Sequence, residues 1–257
     1  MPDGVTRRRA LGAAGVVGIG ALLGACSREG AVTETQVPTT SGASATVQPQ
    51  STPSPANAAL FGKAATCTLS PEQTEGPYYF DVDSIRGDIR EDRPGMPLRL
   101  VMRVQDSAAC TPIANAVVDI WHCDAGGVYS GFESASQGGP GGGARTDDET
   151  YLRGAQVTNS DGIVEFTTIY PGWYRGRTVH IHTKVHLDSS TLLTSQLYFD
   201  EQVTAAVYQT APYASRSGRD TFNDGDGIFS GAGERALLTL AKEGDGYRGV
   251  ITLAVKR

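Results

Sequence analysis

Between residues 97 and 106 apolar and polar side chains alternate. Leu98, Leu100, Met102 and Val104 are spaced by Arg99, Val101, Arg103 and Gln105, the period-two pattern of a strand with one face in a core. Shorter runs rich in β-branched and aromatic residues follow at Val117–Trp121, Gly154–Val157, Ile163–Thr168, Thr178–Leu187 and Gln196–Phe199. Asn159-Ser160-Asp161-Gly162 predicts a hairpin turn. Glu243-Gly244-Asp245-Gly246 predicts another, joining Leu237–Ala241 to Val250–Val255. Only Val203–Thr210 carries a helical pattern. Short strands separated by turns predict a mainly β protein, an antiparallel β-sandwich with long loops and little helix. Residues 134–144 are rich in Gly and Ser and predict a mobile surface loop.

The first sixty residues read differently. Thr6-Arg7-Arg8-Arg9-Ala10-Leu11 opens a basic stretch, and residues 11–25 are apolar and rich in Ala and Gly. That run is too short to span a bilayer and reads as an export signal over residues 1–25. The adjacent arginines suit the twin-arginine type. Leu23-Gly24-Ala25-Cys26 resembles a bacterial lipobox, which would attach a lipid at Cys26 and hold the protein at the cell surface or the outer side of a membrane. The alternative is an ordinary cleaved signal that removes Cys26. Residues 26–59 are Thr, Ser, Pro, Ala and Val with almost no large side chains, so a flexible tether is expected. Residues 60–257, about 200 in all, suffice for one sizeable core.

The formal net charge is −6, and residues 1–25 carry three arginines and one aspartate, so the remainder stands at −8. No basic stripe is present, which removes the electrostatic support for nucleic-acid binding. Beyond Cys26 the chain has Cys67, Cys110 and Cys123. An oxidising compartment predicts one disulfide and one free thiol. Cys110 and Cys123 flank a predicted strand and would lie at its opposite ends, which favours a bond involving Cys67. The Gly-rich loop lacks the strand-to-helix context of a phosphate cradle, and no Gly-x-Ser-x-Gly elbow marks a serine hydrolase.

The chemistry concentrates in residues 169–182, Ile-Tyr-Pro-Gly-Trp-Tyr-Arg-Gly-Arg-Thr-Val-His-Ile-His. His180 and His182 are two apart on a predicted strand, so they share a face with about 6–7 Å between Cα atoms. Two imidazoles so placed converge on one metal. Tyr174 sits in a Pro-Gly turn that folds back towards them. A second stretch, Val118-Asp119-Ile120-Trp121-His122-Cys123-Asp124-Ala125-Gly126-Gly127-Val128-Tyr129, ends a strand in a glycine turn and presents Tyr129.

Together these segments resemble the intradiol ring-cleavage dioxygenases, whose non-haem Fe(III) is held by two tyrosines and two histidines. The matching pieces stand in the family's order: Asp-Ile-Trp…Gly-x-Tyr, Pro-Gly-x-Tyr and His-Ile-His. Thr74-Glu75-Gly76-Pro77-Tyr78-Tyr79 and Thr194-Ser195-Gln196-Leu197-Tyr198-Phe199 match further elements, and the likeness runs from about Cys67 to about Phe229. The resemblance implies Tyr129, Tyr174, His180 and His182 as ligands of Fe(III). It implies Arg177 as a stabiliser of negative charge on a bound catecholate, and Gln196 as a lining residue. Phenolates are hard anionic donors suited to ferric iron. By the same likeness the substrates are an aromatic diol and O2. The likeness further implies Tyr174 as the ligand displaced and a general base, and a muconate-type diacid as the product. The short run from Tyr174 to His180 and the export-type N-terminus point to the family's secreted branch.

Plainer readings stand beside these. Tyr78, Tyr79, Tyr170 and Tyr198 taken singly read as core tyrosines. His186, roughly 13 Å along the strand from His182, reads as a rim residue, and His122 as structural. Arg175 suits a solvated turn. Asn223-Asp224-Gly225-Asp226-Gly227 lacks the downstream acid of a calcium loop and reads as a turn. A different functional class, a non-catalytic tethered sandwich that binds carbohydrate or protein, fits the same fold. So does a zinc or copper site built from the two histidines alone.

Overall fold

In a computed structural model that describes residues 35–38, 44–47, 54–62, 67–81, 85–136, 144–188 and 190–257, the alternation at 98–105 lies in a strand of ten residues. Ten strands are described: β1 (Thr35–Pro38), β2 (Ser44–Val47), β3 (Pro97–Asp106), β4 (Val117–Trp121), β5 (Arg153–Val157), β6 (Ile163–Ile169), β7 (His180–Leu187), β8 (Ser190–Tyr198), β9 (Thr239–Glu243) and β10 (Gly246–Val255). Two four-stranded sheets form the body, in the orders β6-β3-β10-β9 and β5-β4-β7-β8. Their facing surfaces share one core. Leu98, Leu100, Met102, Val104, Phe166 and Leu253 come from the first sheet, and Val118, Ile120, Ile181, Val185, Leu193 and Leu197 from the second.

The fold is the expected sandwich, with four differences in detail. All strand pairs are antiparallel except β3 with β10, which run parallel. Asn159–Gly162 is a turn but not a hairpin. Its flanking strands join different sheets, β5 pairing with β4 and β6 with β3. The local chemistry of the turn, in which Asn159 Oδ1 accepts from the Asp161 and Ile163 N–H groups, is the same whichever sheet the chain enters next. Helix is minor, as expected, but is not confined to α2 (Glu201–Val207): α1 (Glu133–Ser136), α3 (Gly227–Ala232) and several 3-10 turns accompany it. Strand β8 begins at Ser190, well before Gln196, and β9 is displaced two residues from Leu237–Ala241.

The export signal and lipobox lie outside the described residues, as do residues 137–143 of the Gly-rich loop. Within the segment read as a tether, β1 and β2 pair as a short hairpin. A 3-10 turn at Pro55–Leu60 brings Asn57 against β3 and β6, where it bonds Glu165 and Arg99. A side chain with only 3% exposure shows that the body begins before residue 60. The disulfide is Cys67–Cys110, with Cα atoms 5.4 Å apart, and Cys123 is the buried free thiol.

The outer face of the second sheet positions the chemistry. Its register sets Arg153, Trp121, His182 and Gln196 in one row across β5, β4, β7 and β8. The next row holds Ala155, Asp119, Lys184 and Thr194. Loops cover this face, so strand β4 is buried along its whole length.

A candidate metal centre on the outer face of a sheet

Two turns deliver the tyrosines. Asp124 organises the first: its Oδ1 accepts from the N–H groups of Gly126 and Val128, at 2.8 and 3.0 Å. Gly127 has φ +81°, and a Cβ there would lie 2.3 Å from the Trp173 carbonyl oxygen. Only glycine fits that approach. The second turn is stitched to the first, because Gly172 N–H donates to the Asp124 carbonyl at 3.0 Å. Tyr129 and Tyr174 are thus held by one hydrogen-bonded unit, with ring centroids 5.7 Å apart.

The histidines come from β7, as their spacing predicts. His180 Nε2 lies 3.0 Å from His182 Nε2 and 3.1 Å from the Tyr174 hydroxyl. His180 Nδ1 sits 2.6 Å from the Thr178 carbonyl oxygen, which accepts only from an Nδ1–H. This assignment leaves the Nε2 lone pair facing its neighbours. Trp121 stacks flat on His182, centroids 4.9 Å apart and planes 6° from parallel. Gly76 (φ +76°) also packs so closely that a Cβ there would lie 3.1 Å from His182 Cε1. Both contacts restrict the ring.

All four side chains are buried or nearly so, and the Tyr129 hydroxyl and His182 Nδ1 have no hydrogen-bond partner among the described residues. Burial drives the ionisation of each group towards its neutral form. It pushes His180 down to about 3 and, with His180 and Arg177 adding like charge, His182 well below the usual imidazole range. It raises Tyr129 and Tyr174 above the usual phenol range. The imidazoles therefore keep free lone pairs, whereas phenolates here require a cation to repay their desolvation.

Arg177 and Gln196 meet beside these donors. Arg177 donates through Nε to Asp226 Oδ2 at 2.9 Å and through Nη2 to Gln196 Oε1 at 2.5 Å. Gln196 is fully buried and donates to the Thr74 carbonyl. Its Oε1 also accepts from Tyr198, and Gln73 Oε1 accepts from Tyr198 and from the Gln196 N–H. The six residues singled out in the sequence are therefore brought together.

The sequence reading missed others. The sequence places Asp226 in a turn, yet it is 2% exposed, caps α3 through Oδ1 and holds Arg177 through Oδ2. Gln73 and Arg153 gave no signal of their own. Tyr198 belongs to the site lining, whereas Tyr170 is a core residue bonded to Thr204. His122 is structural, held by the Cys123 carbonyl and Thr168. His186 is half-buried against Thr191. Arg175 is exposed and lines a cavity of about 660 Å³ with Tyr78, Gly127, Trp173, Tyr174 and Arg216. That cavity has two arginines and no carboxylate on its walls, and Tyr174, which lines it, bonds His180.

Among the described residues no group of three or more His, Cys, Asp or Glu is placed to hold a metal. Two histidines alone thus have no third ligand of those types, and the remaining inward donors are phenols.

Comparison with known proteins converges on one family. Residues 74–216 match the family model described as Dioxygenase, a span that contains every candidate ligand. The solved intradiol ring-cleavage dioxygenase from Tetranychus urticae is 36% identical with a TM-score of 0.70, covering 74% of this chain and 95% of that one. The dioxygenase domain of a dioxygenase–carbohydrate-binding fusion from Streptomyces sp. SirexAA-E is 29% identical with a TM-score of 0.54, covering 73% and 98%. Chlorocatechol 1,2-dioxygenase of Rhodococcus opacus is 32% identical over 131 residues, 44% of this chain and 47% of that protein. The chain spans about half the length of the curated relatives it matches. A likeness that covers nearly all of a solved relative, and a family match that reaches both tyrosine turns and the His-x-His strand, lead to one conclusion: this chain belongs to the intradiol ring-cleavage dioxygenase family.

Proposed function

We propose that this protein is an exported, lipid-anchored non-haem Fe(III) dioxygenase. It cleaves catechol-type rings between the two hydroxylated carbons, and both atoms of O2 enter a muconate-type diacid. The observation that carries this reading is the convergence of Tyr174, His180 and His182 at 3.0–3.1 Å beside the orphaned Tyr129 hydroxyl. The residues fit ferric iron: two phenols able to become hard anionic donors, and two imidazoles whose Nε2 atoms face inward. Tyr129, Tyr174, His180 and His182 would hold it. Bound there, iron supplies a Lewis acid that withdraws charge from a catecholate and opens its ring to O2.

The protein's own part follows from its geometry. Tyr174 is less buried than Tyr129, borders the cavity and has its hydroxyl 3.1 Å from His180 Nε2. It would be the donor most easily freed for a substrate, and its Oη would take the proton of a substrate hydroxyl. Arg177 is fixed by Asp226 and Gln196, so its guanidinium needs no reorganisation to stabilise negative charge developing on the ring. Trp121 and Gly76 hold His182 in orientation. Balanced in atoms and electrons, the reaction needs no external reductant.

A tethered carbohydrate- or protein-binding module is not favoured, because such a module has no use for two buried phenols aimed at two buried imidazoles. The test is a visible spectrum of protein purified from iron-replete cells, titrated anaerobically with catechol, 3,4-dihydroxybenzoate and a chlorocatechol. A tyrosinate–iron charge-transfer band that shifts on titration is expected. Colourless, iron-free protein would overturn the reading. Export and anchoring are tested separately: Cys26→Ser should move the protein from the membrane fraction to the soluble one.

A further inference from the structure

Arg153 is 1% exposed, opposite Trp121 in the register and in the same row as His182. Its Nε donates to Ser130 Oγ at 2.9 Å and its Nη2 to the Ser130 carbonyl at 2.8 Å. Nη1 has no partner among the described residues. Three rings surround the guanidinium, with Phe80, Phe132 and Tyr129 centroids 4.3, 5.6 and 6.0 Å from Cζ. Ser130 directly follows Tyr129. Anchoring Ser130 takes two N–H groups, which a neutral amide also provides. A buried cation with an idle N–H is a costly way to do it unless a negative charge arrives to balance it.

We propose that Arg153 is the built-in countercharge of the Tyr129 phenolate, a positioning residue that stabilises negative charge on that ring and so tunes the metal centre from outside the ligand set. This rests on the ferric reading above. The other charged or titratable groups acting on Arg153 are Asp119, Tyr151 and Arg145. Asp119 competes for the same positive charge from the next row of the sheet.

The test compares iron-loaded wild type with Arg153→Gln, Arg153→Lys and Asp119→Asn, recording charge-transfer band position and iron affinity by chelator competition. A nearby cation lowers the energy of a phenolate donor, so removing it moves the band to longer wavelength. Arg153→Gln should shift it to longer wavelength and weaken iron binding by about tenfold or more, the scale of Coulomb attraction at such a distance in a protein interior. Arg153→Lys keeps the charge and should stay close to wild type. Asp119→Asn, recorded at about pH 9 where that carboxyl is ionised in wild type, should move the band the opposite way. Equal shifts in Gln and Lys, or none in either, would overturn the proposal in favour of a purely structural fork. If Arg153→Gln does not fold, Asp119→Asn decides, and an unmoved band sinks the proposal. A wild type without any band would instead refute the ferric reading, so the two failures are told apart.

Discussion

On its inner face the β5-β4-β7-β8 sheet presents Val118, Ile120, Ile181 and Leu197, all in the core. One residue along each strand, the outer face presents Asp119, Trp121, His182 and Gln196, equally buried but polar or aromatic. The first set needs only to exclude water. The second leaves polar atoms without partners at Trp121 Nε1 and His182 Nδ1, joined by Arg153 Nη1 on β5 and the Tyr129 hydroxyl above. Such groups are costly to bury and are rarely left so without a reason. The inner rows also bury unpartnered polar atoms, at Gln156 beside Val118 and Thr183 beside Ile120, but scattered among apolar side chains, whereas the outer face gathers its own around the aromatic and imidazole groups where the chemistry is assembled.

Three consecutive residues put the sharpest strain on that contrast. His180→Ala or His182→Ala should abolish the charge-transfer band through loss of iron, and Tyr129→Phe should shift and weaken it because Tyr174 still donates; each should lower kcat/KM by more than about 100-fold, beyond what losing a ligand's supporting partner costs. Ile181→Ala lies between the two histidines and faces the other way. It should cost about 2–5 kcal/mol of unfolding free energy, read by denaturant titration, while the iron-loaded protein keeps its band. An Ile181 variant that loses the band at unchanged stability would break the division between faces.

Asp119 tests whether the outer face is costly in itself. Burial raises its carboxyl from an ordinary 3.8 to about 7, with Asp81 adding to the rise while Tyr79, Arg153 and Lys184 oppose it. Because the folded-state value lies above the unfolded one, the folded protein binds the extra proton between about pH 4 and pH 7. Stability is then complete below that window and falls as pH rises through 7. Asp119→Asn removes the titration, so its stability relative to wild type should climb across the same window. The gain should reach about 2–4 kcal/mol by pH 9. Parallel stability curves for the two proteins would show that the carboxyl is better compensated than its surroundings suggest.

How much of this was legible beforehand follows from distance along the chain. The His180–His182 pair was readable because strand parity is local. So was the core alternation of Leu98, Leu100, Met102 and Val104. Placing Tyr129 and Tyr174 around that pair took the family likeness, since nothing in a Gly-Gly or Pro-Gly turn says where it points. The stacking of Trp121 on His182 depends on the β4–β7 register, and the Arg153–Ser130 fork joins residues 23 apart through a loop. Neither leaves a local pattern. The Asn159–Gly162 turn erred for the complementary reason, because turn chemistry records the reversal and not the sheet entered after it.

Asp226 gives the smallest and most discriminating expected effect. Its two oxygens divide the work: Oδ1 caps α3 by accepting from Ile228 and Phe229 N–H groups, and Oδ2 accepts from Arg177 Nε and Thr178 N–H. Asparagine keeps one acceptor oxygen and is as good a cap as aspartate, but it cannot supply the charge that fixes Arg177. Asp226→Asn should therefore fold with little loss of stability and lower kcat by about tenfold, the low end of what losing a supporting partner costs. KM should change less than kcat, since Arg177 is assigned to charge that develops after the substrate is bound. Asp226→Ala loses the cap as well and should cost about 1 kcal/mol of stability more. If Asn and Ala lower kcat equally while only Ala melts early, Arg177 needs the carboxylate itself. If Asn is fully active, the guanidinium is positioned by Gln196 alone, and the outer face tolerates the loss of a charge that its geometry marks as essential.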